Sequence, residues 1–174
     1  MSEIKQLLNQ TFIYGLSSVL ARVLNFLLVP LYTILFIPSE YAVVSEMYAY
    51  AAFLMVLGCF GMETTFFRFS ESNKTSKVFS TAFSFVCCNS VLLAIIGAVF
   101  YQEIANIIQH NTHPEYVLFF TLIIALDLLT IIPFAFLRHK NRAMKFVSIK
   151  TINIIINISS NLFFLILCPY LIKQ

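Results

Sequence analysis

Five stretches of this chain are each long and apolar enough to cross the hydrocarbon core of a bilayer, and no other feature restricts the fold as strongly. They run at about 11–36, 41–66, 78–101, 116–137 and 146–171. A helix rising 1.5 Å per residue needs about 20 apolar residues for one crossing, and without water every backbone N–H and C=O must find its partner inside the segment. The expected fold is therefore all-α, a polytopic transmembrane bundle of about five helices. Composition agrees: 60% of the 174 residues are hydrophobic and 11% charged, against about a quarter charged in a soluble domain. No basic stripe interleaves with exposed aromatics, so a nucleic-acid partner is not expected. The first run is too long for the core of a signal peptide and no small-residue cleavage site follows it, so it is expected to remain as the first span.

Charge in the connections sets the expected orientation, because cytoplasmic loops are enriched in Lys and Arg. Lys5 precedes the first span; Arg68, Lys74 and Lys77 follow the second; Arg138, Lys140, Arg142 and Lys145 follow the fourth. The turn 37–40 and the loop 102–115 carry Glu40, Glu103 and Glu115 and no Lys or Arg, and only Lys173 at the C-terminus disagrees. The pattern predicts N-in and C-out. The chain stops as the fifth helix reaches the outer surface, an ending that fits a fragment of a longer protein.

Ionisable groups at membrane depth cost roughly 2.5–3.5 kcal/mol each on insertion scales, so each needs a partner, a wet cavity or a route to the interface. Arg22 lies near the middle of the first span and Asp127 near the middle of the fourth. Both are expected to face the interior of the bundle, as a pair or around a hydrated cavity; an ion pair that only fixes packing is the plainer alternative. Glu63 and Arg68 sit where the second span meets the cytoplasm, Arg68 reading most simply as a topology anchor. Lys150 stands one turn inside the fifth span, within reach of the interface by snorkelling. Asn153, Asn157 and Asn161 recur every four residues on one face of that span, nearly in line with Lys150. Interhelical hydrogen bonding and a substrate-facing wall both account for such a stripe. Ser18, Arg22 and Asn25 form a parallel pattern in the first span, followed by Pro30, which should kink it.

Catalytic signals are missing. His110 and His113, followed by Glu115, have HxxH spacing in an external loop, but a formed metal site would need a third ligand and a defined helix, so none is expected. Gly58 and Gly61 lie in an apolar run, where small residues permit close packing rather than phosphate binding. Cys59, Cys87, Cys88 and Cys168 all fall in apolar runs and read as small packing residues. No Ser or Cys has a base beside it in sequence. Neither an enzymatic activity nor a cofactor is expected.

Several segments are familiar in order. Asn9-Gln10-Thr11-Phe12-Ile13-Tyr14-Gly15-Leu16, the stretch from Leu24 to Thr33 reading LNFLLVPLYT, and Pro38-Ser39-Glu40-Tyr41 open the chain. Gly61-Met62-Glu63-Thr64-Thr65-Phe66-Phe67-Arg68-Phe69 and the basic segment from Leu137 to Phe146 follow. Together they resemble the N-terminal half of bacterial polysaccharide biosynthesis proteins, the Wzx-type oligosaccharide flippases of the multidrug/oligosaccharidyl-lipid/polysaccharide exporter superfamily. Ala42 stands where that family's pattern has glycine, and the chain supplies five helices where its members have twelve or fourteen in two lobes. The resemblance implies a partial N-terminal lobe, 1–174, of an inner-membrane transporter whose C-terminal lobe is missing here. Its implied substrate is an undecaprenyl-pyrophosphate-linked oligosaccharide, moved from the cytoplasmic to the periplasmic leaflet for surface polysaccharide biosynthesis. For such a substrate, charge and depth make Arg22 the candidate contact for the pyrophosphate, with Asp127 expected to hold Arg22 in place or take part in ion coupling. Arg68 and Lys150 gather the head group, while Glu63, Asn153 and Asn157 complete the candidate substrate-binding set. Five helices alone are not expected to transport. A multidrug or small-solute antiporter half of the same superfamily, and a small non-transporting membrane subunit, stay open as alternatives.

Overall fold

The computed structural model describes residues 29–72, 74–110 and 113–167, with Gly15, Val19, Val23 and Phe26 as isolated helical positions before them. Helical backbone at 29–35 (α1) leads into α2 (Pro38–Cys59), α3 (Met62–Ser72), α4 (Thr75–Ile107), α5 (Glu115–His139) and α6 (Ala143–Leu162). A π-helical turn, Phe163–Leu167, continues α6. Among the described residues there is no strand, and four stretches have the length and apolarity of a membrane crossing: Pro38–Ser72, Thr75–Ile107, Glu115–His139 and Ala143–Leu165. The chain is thus an all-α protein with the architecture of a multi-pass membrane protein. Its helix exteriors carry Phe53, Val56, Ile95, Val99, Leu126 and Ile156, each more than half exposed, a surface that suits lipid and not water.

The run at 41–66, expected as one helix, is broken. Phe60 and Gly61 both take left-handed backbone, with φ of 47° and 66°. Gly61 does so without a Cβ clash; a bulky residue such as Phe60 is uncommon there. The broken end is repaired by side chains, as a membrane interior demands. Asn89 of α4 donates its Nδ2–H to the Gly58 carbonyl at 3.0 Å, while the Gly61 carbonyl accepts the Thr65 N–H as α3 begins and, in addition, the Thr64 and Thr65 hydroxyls. Gly61 therefore starts a new helix instead of packing inside an old one. The third crossing also outruns its apolar core, since α4 begins at Thr75, ends at Ile107 and carries a non-helical residue, Phe100, near its far end.

By contact the chain divides into two compact units, 44–139 and the remainder, 1–43 with 140–174. In the first, α3, α4 and α5 pack on one another. Val117, Thr121, Ile124, Leu128, Ile132 and Ala135 form a helical stripe on the buried face of α5. Phe66 of α3 and Ala82 and Val86 of α4 close the core against that stripe. Lipid is as apolar as these side chains, so tight packing and interhelical hydrogen bonds, rather than escape from water, hold such helices together. Small residues at the contacts make this possible. A Cβ on Gly97 would stand 2.2 Å from Thr121 Cγ2, and one on Gly58 2.5 Å from Leu128 Cδ1. Ser90 of α4 donates to the Ala125 carbonyl of α5 at 2.6 Å.

The other unit joins the α1 end to α6. The Tyr32 hydroxyl donates to Asn161 Oδ1 at 2.9 Å, and the Tyr32 ring lies against those of Phe36 and Tyr41. Ala143, Phe146 and Ile154 are the buried side chains of α6 among the described residues.

Candidate functional site

Asp127 has twelve residues of α5 on either side, so it stands roughly 18 Å from both helix ends. The apolar stripe that buries Ile124 and Leu128 leaves the opposite face outward, and Asp127 is on it, exposed beside Ile123, Leu126 and Thr130. Thr130 turns its hydroxyl to the Asp127 backbone carbonyl at 2.8 Å. The carboxylate itself makes no ion pair or hydrogen bond among the described residues. The expectation that Asp127 faces the interior is therefore not met within its own unit: it points away from the packed core. Arg22, the partner proposed for it, lies outside the described residues, as do Ser18 and Asn25.

A second polar surface runs along α6. Asn153 and Asn157 are exposed, whereas Asn161 is partly covered. The Asn161 Nδ2 donates both to the Asn157 backbone carbonyl at 2.9 Å and to its Oδ1 at 2.7 Å, while its Oδ1 accepts from Tyr32. The stripe thus divides: its far end is a hydrogen-bonded contact with α1, while Asn153 and the Asn157 Nδ2 are exposed and make no hydrogen bond among the described residues. Lys150, seven residues into α6, holds its Nζ 5.4 Å from the centroid of the Phe146 ring. Side chains on a helix lean towards its N-terminus, so this cation–π contact draws the charge towards the interface end of the span.

The remaining candidates cluster where α3 begins and α5 ends. Glu63 pairs with Arg138 through Oε1 and Nη2, and the Arg138 guanidinium also lies over the Phe67 ring, 5.5 Å from its centroid. The His139 ring meets the Phe66 ring edge-on at 5.8 Å. Arg68, five residues along α3 from Glu63, is exposed and stands apart from this knot. Sequence reasoning placed Glu63 at the interface but did not supply its partner, which is 75 residues away; both residues end adjacent spans at similar depth, the signal that points to the pair.

At the other ends of the helices the two loop histidines separate. His110 Nε2 meets Glu46 Oε2 of α2 at 3.1 Å, and Tyr50 donates to the other Glu46 oxygen at 2.8 Å. His113 Nδ1 meets Glu115 Oε1 at 2.9 Å. Each imidazole thus serves a different carboxylate. Glu46, which has no partner evident from sequence, is held on both oxygens. Cys59 packs against the core and Cys87 is partly buried, while Cys88 is exposed on α4, so the packing expectation does not extend to Cys88; Cys168 lies outside the described residues.

No known family, no curated protein and no solved structure matches the chain.

Proposed function

We propose that this chain is a membrane-embedded lobe of a transporter that carries an undecaprenyl-pyrophosphate-linked oligosaccharide across the bacterial inner membrane, with its N-terminus in the cytoplasm. The observation that carries this reading is Asp127, a carboxylate at the midpoint of a spanning helix and on that helix's outward face. A lipid-facing carboxylate at that depth is expensive, so the face belongs against a polar path or another polypeptide. The exposed part of the asparagine stripe on α6, Asn153 and the Nδ2 of Asn157, is a second polar surface at membrane depth, uncharged and suited to sugar hydroxyls. The resemblance of the opening segments and of the 61–69 and 137–146 segments to oligosaccharide flippases supports the substrate class. In this reading Arg22 meets the pyrophosphate, and Arg68 and Lys150 gather it on the cytoplasmic side, Lys150 being drawn that way by Phe146.

The test is complementation. A strain deleted for its own oligosaccharide flippase, expressing the whole gene product that contains this chain, is expected to regain surface glycan. Asp127→Ala and Arg22→Ala, at equal abundance, are each expected to lower export at least roughly tenfold, a loss of about 1.4 kcal/mol or more. Export that is normal in both variants overturns the reading. So does drug efflux without any glycan export, which assigns the chain to small-solute transport.

A further inference from the structure

A cavity of about 510 Å³ opens where α3 gives way to α4, within the roughly 300–1,000 Å³ range of small-ligand sites. It belongs wholly to the 44–139 unit and includes neither Asp127 nor Arg68. Its inner wall is apolar, built by Met62, Phe66, Val78 and Ala82, with the half-exposed Phe69 at the side. Lys74 and Lys77 form its charged rim. Neither lysine makes an ion pair among the described residues, and no Asp or Glu lines the cavity. The two hydroxyls there are already engaged, Thr81 donating to the Lys77 carbonyl and Thr65 to that of Gly61. Donors left for a ligand are therefore the two ammonium groups. The 33-residue α4 also starts at this rim, with no side-chain cap at Lys74, and its N-terminal end adds partial positive charge.

We propose that this cavity binds an anionic phospholipid of the surrounding leaflet, its phosphate between Lys74 and Lys77 and its glycerol and upper acyl carbons against Phe69, Met62 and Val78. Three features choose this occupant. The lysine rim lies at the connection between two spans, which is the level of the lipid head groups, and the apolar wall runs from it into the spans. An apolar wall directly behind paired cations suits an amphiphile and gives nothing to a free phosphate ion. A zwitterionic head group brings a cation to a rim that has no carboxylate to receive it. Basic residues beside an anionic membrane surface each strengthen binding by roughly fivefold, so two account for a preference of at least roughly tenfold. The inference rests on the membrane-spanning architecture and stands whether or not the protein moves oligosaccharides.

Native mass spectrometry of the full chain, released from detergent in the presence of phosphatidylglycerol or phosphatidylcholine with identical acyl chains, reads the preference directly. Wild type is expected to retain phosphatidylglycerol at least roughly tenfold better. Lys74→Gln with Lys77→Gln is expected to erase the preference, and Lys74→Arg with Lys77→Arg to keep it. Thr81→Phe fills the cavity from its rim with both lysines in place, and is expected to lower phosphatidylglycerol retention. Lys140→Gln with Lys145→Gln, outside the cavity, is expected to change nothing. Equal retention of the two lipids by wild type, a preference that survives the double glutamine variant, or unaltered retention by Thr81→Phe overturns the proposal. Complete displacement of the lipid by excess inorganic phosphate also overturns it, by showing an ion site.

Discussion

Gly97 and Gly58 show how single residues set the distance between helices in a medium where apolar burial supplies little force. Gly97 faces Thr121, whose β-branched side chain is buried and whose hydroxyl is bonded to the Val117 carbonyl at 2.7 Å. A stiff neighbour cannot rotate away from an added methyl. Gly58 faces the end of Leu128, a longer side chain with more ways to yield, though it is fully buried. Both alanine variants are expected to be destabilised by about 1–3 kcal/mol through overpacking, with Gly97→Ala the worse of the two. Thermal unfolding in detergent ranks them, and a Gly97→Ala variant as stable as wild type removes the close-packing account. Asn89 acts differently, because it replaces a hydrogen bond that the helix break has removed. Asn89→Leu is expected to cost about 1–3 kcal/mol by leaving the Gly58 carbonyl with no donor in apolar surroundings, measured as a loss of stability that Asn89→Gln reduces.

At the scale of helices, apolar runs and their lengths made the spans legible, because hydropathy over about 20 residues is the property that a bilayer itself selects. The break in the second run is not legible for the same reason. Hydropathy is blind to φ, and Phe60 and Gly61 are as apolar as their neighbours while turning the backbone left-handed. The depth of Asp127 was equally legible, since it needs only counting along α5; its outward direction was not, since that depends on which stripe of α5 meets α4. Contacts such as Glu63 with Arg138 and Glu46 with His110 join elements far apart in sequence and have no local signature. The first of these ties α3 to α5 at a partly exposed interface, where an ion pair is worth up to about 1 kcal/mol. Arg138 additionally covers Phe67, so Arg138→Gln is expected to lower stability more than Glu63→Gln does. The exchange Glu63→Arg with Arg138→Glu is expected to recover part of the ion-pair contribution but not the ring contact. Unfolding midpoints for the three variants check this, and an exchange no better than Arg138→Gln shows that the pair contributes nothing.

For the whole molecule, the membrane face that each connection meets fixes which leaflet the Lys74–Lys77 cavity samples. Seven Lys and Arg lie in the connections after the second and fourth spans, at positions 68, 74, 77, 138, 140, 142 and 145, and none lies at 37–40 or 102–115. Lys and Arg in short loops are retained on the cytoplasmic side. Spans that alternate in direction put both basic connections on one face, and the charge bias leads us to propose the inner one. Arg138, His139 and Lys140 at the end of α5 also complement the negative end of that helix. In a background with the native cysteines replaced, Glu71→Cys and Lys140→Cys are expected to react with a membrane-impermeant maleimide in inverted vesicles and not in intact spheroplasts. Ser39→Cys and His113→Cys are expected to show the opposite pattern. If Glu71→Cys and Ser39→Cys label from the same side, the Pro38–Ser72 stretch is not a crossing and its break at Phe60 and Gly61 is a re-entrant turn. If both pairs label with reversed sidedness, the basic cavity opens to the outer leaflet, Arg68 and Lys150 cannot gather a cytoplasmic substrate, and the flippase reading loses its entry side.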